Sequence, residues 1–149
     1  WGRVSNTSID RKAGITPILP TFTALNGANP QLFTNTSADY TWSDGVPAAS
    51  STQDHGLRMF DEDVGVQWVL PADQSERELR MYLGVSASTG TVIASLSDGS
   101  KPNVTINVAE SFKASRTVVI NYSAASPGQT LTVSFIKGDN SGHINFDAY

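Results

Sequence analysis

The chain has 149 residues, 16 % of them charged, with a net charge of −4, 12 glycines, 7 prolines and no cysteine. This length suits one domain with a single core, and the acidic balance argues against nucleic acid or an anionic membrane as partner. The lack of thiols excludes a disulfide scaffold, a thiol nucleophile and thiolate metal sites. No apolar run reaches the roughly 18 residues that a membrane span needs, and no stretch sustains a helical period. The pattern therefore predicts an all-β domain of short strands and tight turns.

Taken in chain order, residues 1 to 30 read as an irregular edge segment, because "RKAGITPILPTF" interrupts any strand with two prolines and a glycine. The chain begins at Trp1 without a charged-then-apolar leader, which suits a processed product or an excised piece. "YTWSDG", residues 40 to 45, places Tyr40 and Trp42 on one face of a strand end, followed by a turn. We expect Asp44 to accept backbone N–H bonds and Gly45 to take a positive φ, so that both rings face the sandwich interior, the indole N–H bonded to a loop carbonyl. "HGLRMF", the acidic turn "DEDVG" and "VQWVLPAD" read as a hairpin, with Val64, Val66, Trp68 and Leu70 on one face and Gln67 on the other.

The following strand, "ELRMYLGVSA", points Leu79, Met81, Leu83 and Val85 inward and Arg80, Tyr82, Gly84 and Ser86 outward. "GTVIASLSDG" then precedes "NVTINVAE" with Val104, Ile106 and Val108 inward. "RTVVINYSA" turns Val118, Ile120 and Tyr122 inward, and "QTLTVSF" turns in Leu131, Val133 and Phe135. "HINFDAY" closes the chain. About nine strands, each with one apolar face, predict a two-sheet antiparallel β-sandwich of jelly-roll type over residues 1–149.

Function is carried by few residues. Gln67, Arg80 and Tyr82 are expected to project together from adjacent strands on the face away from the core. Planar amide and guanidinium groups beside a ring can hold a glycan by paired hydrogen bonds and stacking, although an ordinary solvated face has the same composition. Trp68 sits within an apolar stripe and is assigned to the core. Asp61, Glu62 and Asp63, or Asp139, Asn140 and Asp147, could offer oxygen ligands to a structural calcium ion, although neither group follows the EF-hand pattern. No other cofactor is indicated. His55 and His143 each open a strand without an evident Ser or Asp partner, and no G-x-S-x-G elbow, H-E-x-x-H pair or phosphate loop occurs, so no enzyme is indicated. Four N-x-S/T sequons, at Asn6, Asn35, Asn103 and Asn121, matter only in a glycosylating host.

"DRKAG" at 10 to 14, "YTWSDG" at 40 to 45, "LRMYLGVSASTGTVIASLSDGS" at 79 to 100 and the tail "INYSAASPGQTLTVSFIKGDNSGHINFDAY" together resemble a bacterial extracellular β-sandwich module. That module recurs beside carbohydrate-active catalytic domains and immunoglobulin-like repeats in large secreted proteins. The resemblance implies a non-catalytic, extracellular carbohydrate-binding module that holds a larger secreted protein, through its neighbouring domains, on a polysaccharide. The alternative is a structural or adhesive spacer with no small ligand. Similar modules carry a strand and an aromatic lead-in before the Trp-Gly found here at 1 and 2, so an N-terminal edge strand is expected to be missing.

Overall fold

The structure is a computed structural model that describes residues 10–14, 16, 18–139 and 141–148. The expectations for Trp1, Gly2 and Asn6, and the Asn140 member of the second acidic group, lie outside the described residues. Fourteen strands and no helix occur among the described residues. Six are short: β1 (Arg11–Lys12), β2 (Thr23–Leu25), β3 (Gln31–Thr34), β4 (Tyr40–Trp42), β5 (Gly45–Val46) and β6 (Ser51–Gln53). Eight are longer: β7 (His55–Met59), β8 (Gly65–Ala72), β9 (Arg77–Ser86), β10 (Ser88–Leu96), β11 (Val104–Glu110), β12 (Ala114–Tyr122), β13 (Gln129–Lys137) and β14 (His143–Ala148). The long strands fall where alternation predicts them. The excess over about nine comes from pieces of two to four residues, too short for a period of two to show.

Two five-stranded antiparallel sheets form the sandwich. The first has the order β11-β10-β13-β8-β2 and the second β12-β9-β14-β7-β3, so most consecutive strands alternate between sheets in the manner of a jelly roll. Two ribbons, β1–β5 and β4–β6, stand apart from both. The core is built from the predicted inward positions: Val66, Trp68 and Leu70 of β8 and Leu131, Val133 and Phe135 of β13 meet Leu79, Met81, Leu83 and Val85 of β9. Trp68 meets Phe146 of the second sheet edge-on, at 5.3 Å between ring centroids and 89° between planes. It is therefore a core residue, as its stripe predicts.

Two expectations are corrected here. β7 and β8 are not a hairpin: β7 pairs with β14 and β3, whereas β8 pairs with β13 and β2. The turn through Asp61–Asp63 carries the chain from one sheet to the other, anchored by the Asn26 amide donating to the Asp63 carbonyl at 2.7 Å and by the Asp63 N–H donating to the Lys137 carbonyl at 3.1 Å. A crossing pair has the same inward stripes as a hairpin, so alternation alone does not separate the two. Val104 is 50 % exposed rather than inward, because it starts β11, an edge strand of which only Val108 among the three valine and isoleucine positions is fully covered.

Candidate functional site: a groove on the outer face of the second sheet

The sequence pieces "DRKAG" and "YTWSDG" form one unit. β1 pairs with β5, Arg11 opposite Val46 and Lys12 opposite Gly45. Lys12 Nζ lies 3.1 Å from Asp44 Oδ2, the Ala13 N–H donates to the Asp44 carbonyl at 2.7 Å, and the Ala48 N–H donates to Asp10 Oδ1 at 2.8 Å. Trp42 is 8 % exposed and its indole N–H donates to the Ala48 carbonyl at 3.2 Å. Gly45 does not adopt a positive φ. It is glycine because a Cβ there would stand 2.5 Å from the Ala48 oxygen and 2.6 Å from Trp42 Nε1.

The direction of the two rings is also corrected. β4 pairs only with β6, and Trp42 is not part of the main apolar cluster. Tyr40, on the same side of β4, reaches the outer face of the second sheet. Its ring meets Tyr82 edge-on at 5.3 Å and its hydroxyl donates to Asp147 Oδ2 at 3.2 Å. The ribbon thus caps the outside of the sandwich, which strand alternation within β4 does not reveal.

Beneath it the sheet register sets the site. Ser115 of β12 lies opposite Gly84 of β9, Gly84 opposite Asn145 of β14, and Asn145 opposite Arg58 of β7; Thr117 lies opposite Tyr82. Gly84 and Gly56 leave room for Asn145 and Asp147 to lie across neighbouring strands, since a Cβ at either glycine would collide with those side chains. Asn145 donates to Asp147 Oδ1, so both Asp147 oxygens are occupied. Burial pushes the Asp147 carboxyl up to about 6, against the opposing pull of the Asn145 and Tyr40 hydrogen bonds and the Lys113 charge. Burial, and then the Asp147 charge, raise the Tyr40 phenol.

Between ribbon and sheet opens a groove of about 720 Å³. Tyr40, Trp42 and Tyr82 provide ring surface; Asp39, Ser115 and Arg116 provide polar groups. Ser115 lines the groove, but its hydroxyl is buried and has no hydrogen-bond partner among the described residues. Arg116 is held by Glu110.

Of the predicted trio, Tyr82 lines this groove. Arg80 shares its face of β9 but is exposed and held by Glu78 at 2.9 Å. Gln67 belongs to the first sheet, on the other side of the molecule, where its amide donates to Ser134 Oγ at 3.0 Å. The three do not lie on adjacent strands: alternation gives the face of each strand but not the sheet to which it belongs. Asp61, Glu62 and Asp63 are all exposed at the crossing turn. Asp139 accepts from Ser88 at 2.9 Å, Ser141 at 3.2 Å and Lys137 at 3.4 Å, far from the Asp147 network. Desolvation opposes its ionisation, but those donors outweigh it and hold the carboxyl at about 2. Among the described residues no three His, Asp or Glu side chains converge. His55 has an acidic neighbour after all, Asp54 Oδ1 at 3.6 Å from Nε2. Sequence reasoning missed Ser115, the role of Tyr40 and the burial of Asp147, which it offered only as a cation ligand; the available signal was Gly56 and Gly84, isolated glycines inside strands.

No protein-family profile matches this chain, and no curated protein sequence matches it. Solved structures do. The chain is similar to the xylan-binding CBM22-1 domain of Paenibacillus barcinonensis Xyn10C, with a TM-score of 0.52, 11 % identity, and coverage of 85 % of this chain and 81 % of that one. It is similar to the enzymatically active domain of tailspike protein 4 of bacteriophage CBA120, with a TM-score of 0.54 and 8 % identity over 85 % of this chain. It is also similar to an arabinose-bound α-L-arabinofuranosidase, MgGH51, with a TM-score of 0.53 and 9 % identity over 85 % of this chain. The chain spans 18 % of the tailspike and 22 % of the arabinofuranosidase. At these identities the likeness is one of fold: the all-β sandwich that carbohydrate-binding modules also use.

Proposed function

We propose that this domain is a non-catalytic carbohydrate-binding module that takes a polysaccharide chain into the groove beneath the β4–β6 ribbon and holds a larger secreted protein on it. The observation that carries the reading is the groove, which the Tyr82 ring lines together with Asp39 and Arg116. A sugar offers a C–H face to the ring and hydroxyls to Asp39 and Arg116, the combination of ring surface and a few placed polar groups that ligand sites use. The shared fold with a xylan-binding domain supports the same reading. Catalysis has less support: the carboxyl with the raised pKa, Asp147, has both oxygens engaged by Tyr40 and Asn145. The test is affinity electrophoresis of the domain through gels containing xylans, galactans, glucans and arabinans. Retardation by at least one is expected. Unretarded migration in all, with a flat glycan array, would leave a structural spacer as the better reading.

A further inference from the structure

A second cluster occupies the β7 and β3 side of the same outer face. Phe33 of β3 lies opposite Gly56, two residues before Arg58 and on the same face, and His143 opens β14 opposite Ser86. The guanidinium carbon of Arg58 stands 5.0 Å from the Phe33 ring centroid and 4.8 Å from that of Phe60. His143 meets the same rings, at 4.9 Å from Phe33 and 5.7 Å from Phe60. Phe60 is 43 % exposed.

Arg58 makes cation–π contacts and nothing else among the described residues: it joins no ion pair, and its Nε is buried without an acceptor. His143 Nε2 is buried and unpartnered as well. Those two atoms are sealed from solvent, but the Arg58 Nη groups are not among the buried atoms and have no acceptor among the described residues, so they can take one from outside. The charges that act on His143 are those of Arg58, Lys113 and Lys137, all cationic. Lys113 is tied to the Asn35 carbonyl at 2.8 Å and makes no ion pair among the described residues, although its charge also acts on Asp147. Asp61 follows Phe60 in sequence, yet it makes no ion pair with Arg58 and is not among the charges that act on His143. In a chain of net charge −4 three cations thus gather around His143, and Asp147, the carboxyl beside Gly56, is engaged by Tyr40 and Asn145.

We infer that Arg58, Phe60 and His143 form a subsite for a sugar residue that carries a carboxylate. A guanidinium stacked on rings has its faces covered and its N–H edge fixed, the geometry that grips a carboxylate with two parallel hydrogen bonds. The exposed Phe60 ring takes the apolar face of the same sugar. The identification of the ligand as a sugar rests on the function proposed above.

The test follows the His143 ring resonances by NMR while methyl β-glucuronide, methyl β-glucoside or acetate is added, with His55 as internal control. Saturable shifts at His143 with the glucuronide only are expected, weakened at least tenfold by Arg58→Gln and also by Arg58→Lys, which keeps the charge but not the fork, and unchanged by Tyr82→Ala. Equal shifts with the glucoside or with acetate would overturn the reading of a carboxylate sugar, as would no shift at all. Either Arg58 variant that folds and still responds like the parent would overturn the role of Arg58; the lysine variant serves if the glutamine variant fails to fold. A glucuronide response that survives alongside absent polysaccharide retardation would sink the groove and leave this subsite standing.

Discussion

Replacing Asp147 with Asn tests the buried network most sharply. The carboxyl titrates near 6 in the folded chain, against about 3.9 when unfolded, a shift of roughly 2 units or about 3 kcal/mol. Because the folded value is raised, the neutral form favours folding. That contribution is complete below about pH 4, fades as pH rises through 6, and is gone by pH 7. About 1 kcal/mol of it returns between pH 7 and pH 5. Asp147→Asn is neutral throughout and keeps an oxygen and a donor for Tyr40 and Asn145. The assay is thermal unfolding of both proteins from pH 4 to pH 7. Subtracting one curve from the other cancels groups common to both, including Asp139 and His143. The parent should lose about 3 kcal/mol relative to the variant across that window, on the order of 6–10 °C in Tm. Tyr40→Phe removes a hydrogen bond that favours the ionised form, so the midpoint of the loss should move to higher pH. Parallel parent and Asp147→Asn curves would refute the buried carboxyl.

Trp68→Ala should cost about 3–5 kcal/mol, read as a steep fall in Tm, because the ring is enclosed between the sheets against Phe146; a parent-like melt would put the β8 register off by one residue. Gly45→Ala should destabilise the β1–β5 ribbon by pushing Trp42 off the Ala48 carbonyl, seen as faster amide exchange at Ala13 and Ala48, and unchanged exchange would show that the loop yields. Excess chelator should leave the melting curve where it is, since Asp61, Glu62 and Asp63 are exposed and do not converge with other ligands among the described residues; a lower Tm would place a stabilising cation on the chain.

The long strands were legible because each has one face more apolar than the other over five or more positions, as Leu79, Met81, Leu83 and Val85 give β9. The partners of those strands were not. "HGLRMF" and "VQWVLPAD" have the pattern of a hairpin and cross between sheets instead, and Gln67 went to the far sheet with them. Pairing is decided by contacts between residues far apart in sequence, such as Val66 with Phe135 and Tyr82 with Thr117, and a local period is blind to them. The same limit hid the groove. Tyr82 was legible as an outward ring on β9, but the roof over it comes from a three-residue strand some forty positions earlier, and its floor from Ser115 on β12. Trp42 could be read as buried from its place before a turn; that it is buried outside the sandwich depends on the β4–β6 ribbon, whose three-residue strands leave no periodic trace.

The central claim is that Tyr82 is the stacking platform of a glycan-binding groove. It is tested most directly by measuring the affinity of the parent, Tyr82→Ala, Ser115→Ala, Arg80→Ala and Gln67→Ala for whichever polysaccharide retards the parent. Loss of a buried stacking contact costs on the order of 1.4 kcal/mol or more, so Tyr82→Ala should bind at least tenfold more weakly with its melting curve close to the parent's, whereas Ser115→Ala, whose hydroxyl is buried, should bind like the parent. Gln67→Ala, on the far sheet, should bind like the parent, and Arg80→Ala, whose guanidinium acts on Tyr82, should weaken binding less than Tyr82→Ala does. Parent-like affinity in a folded Tyr82→Ala variant would contradict the account.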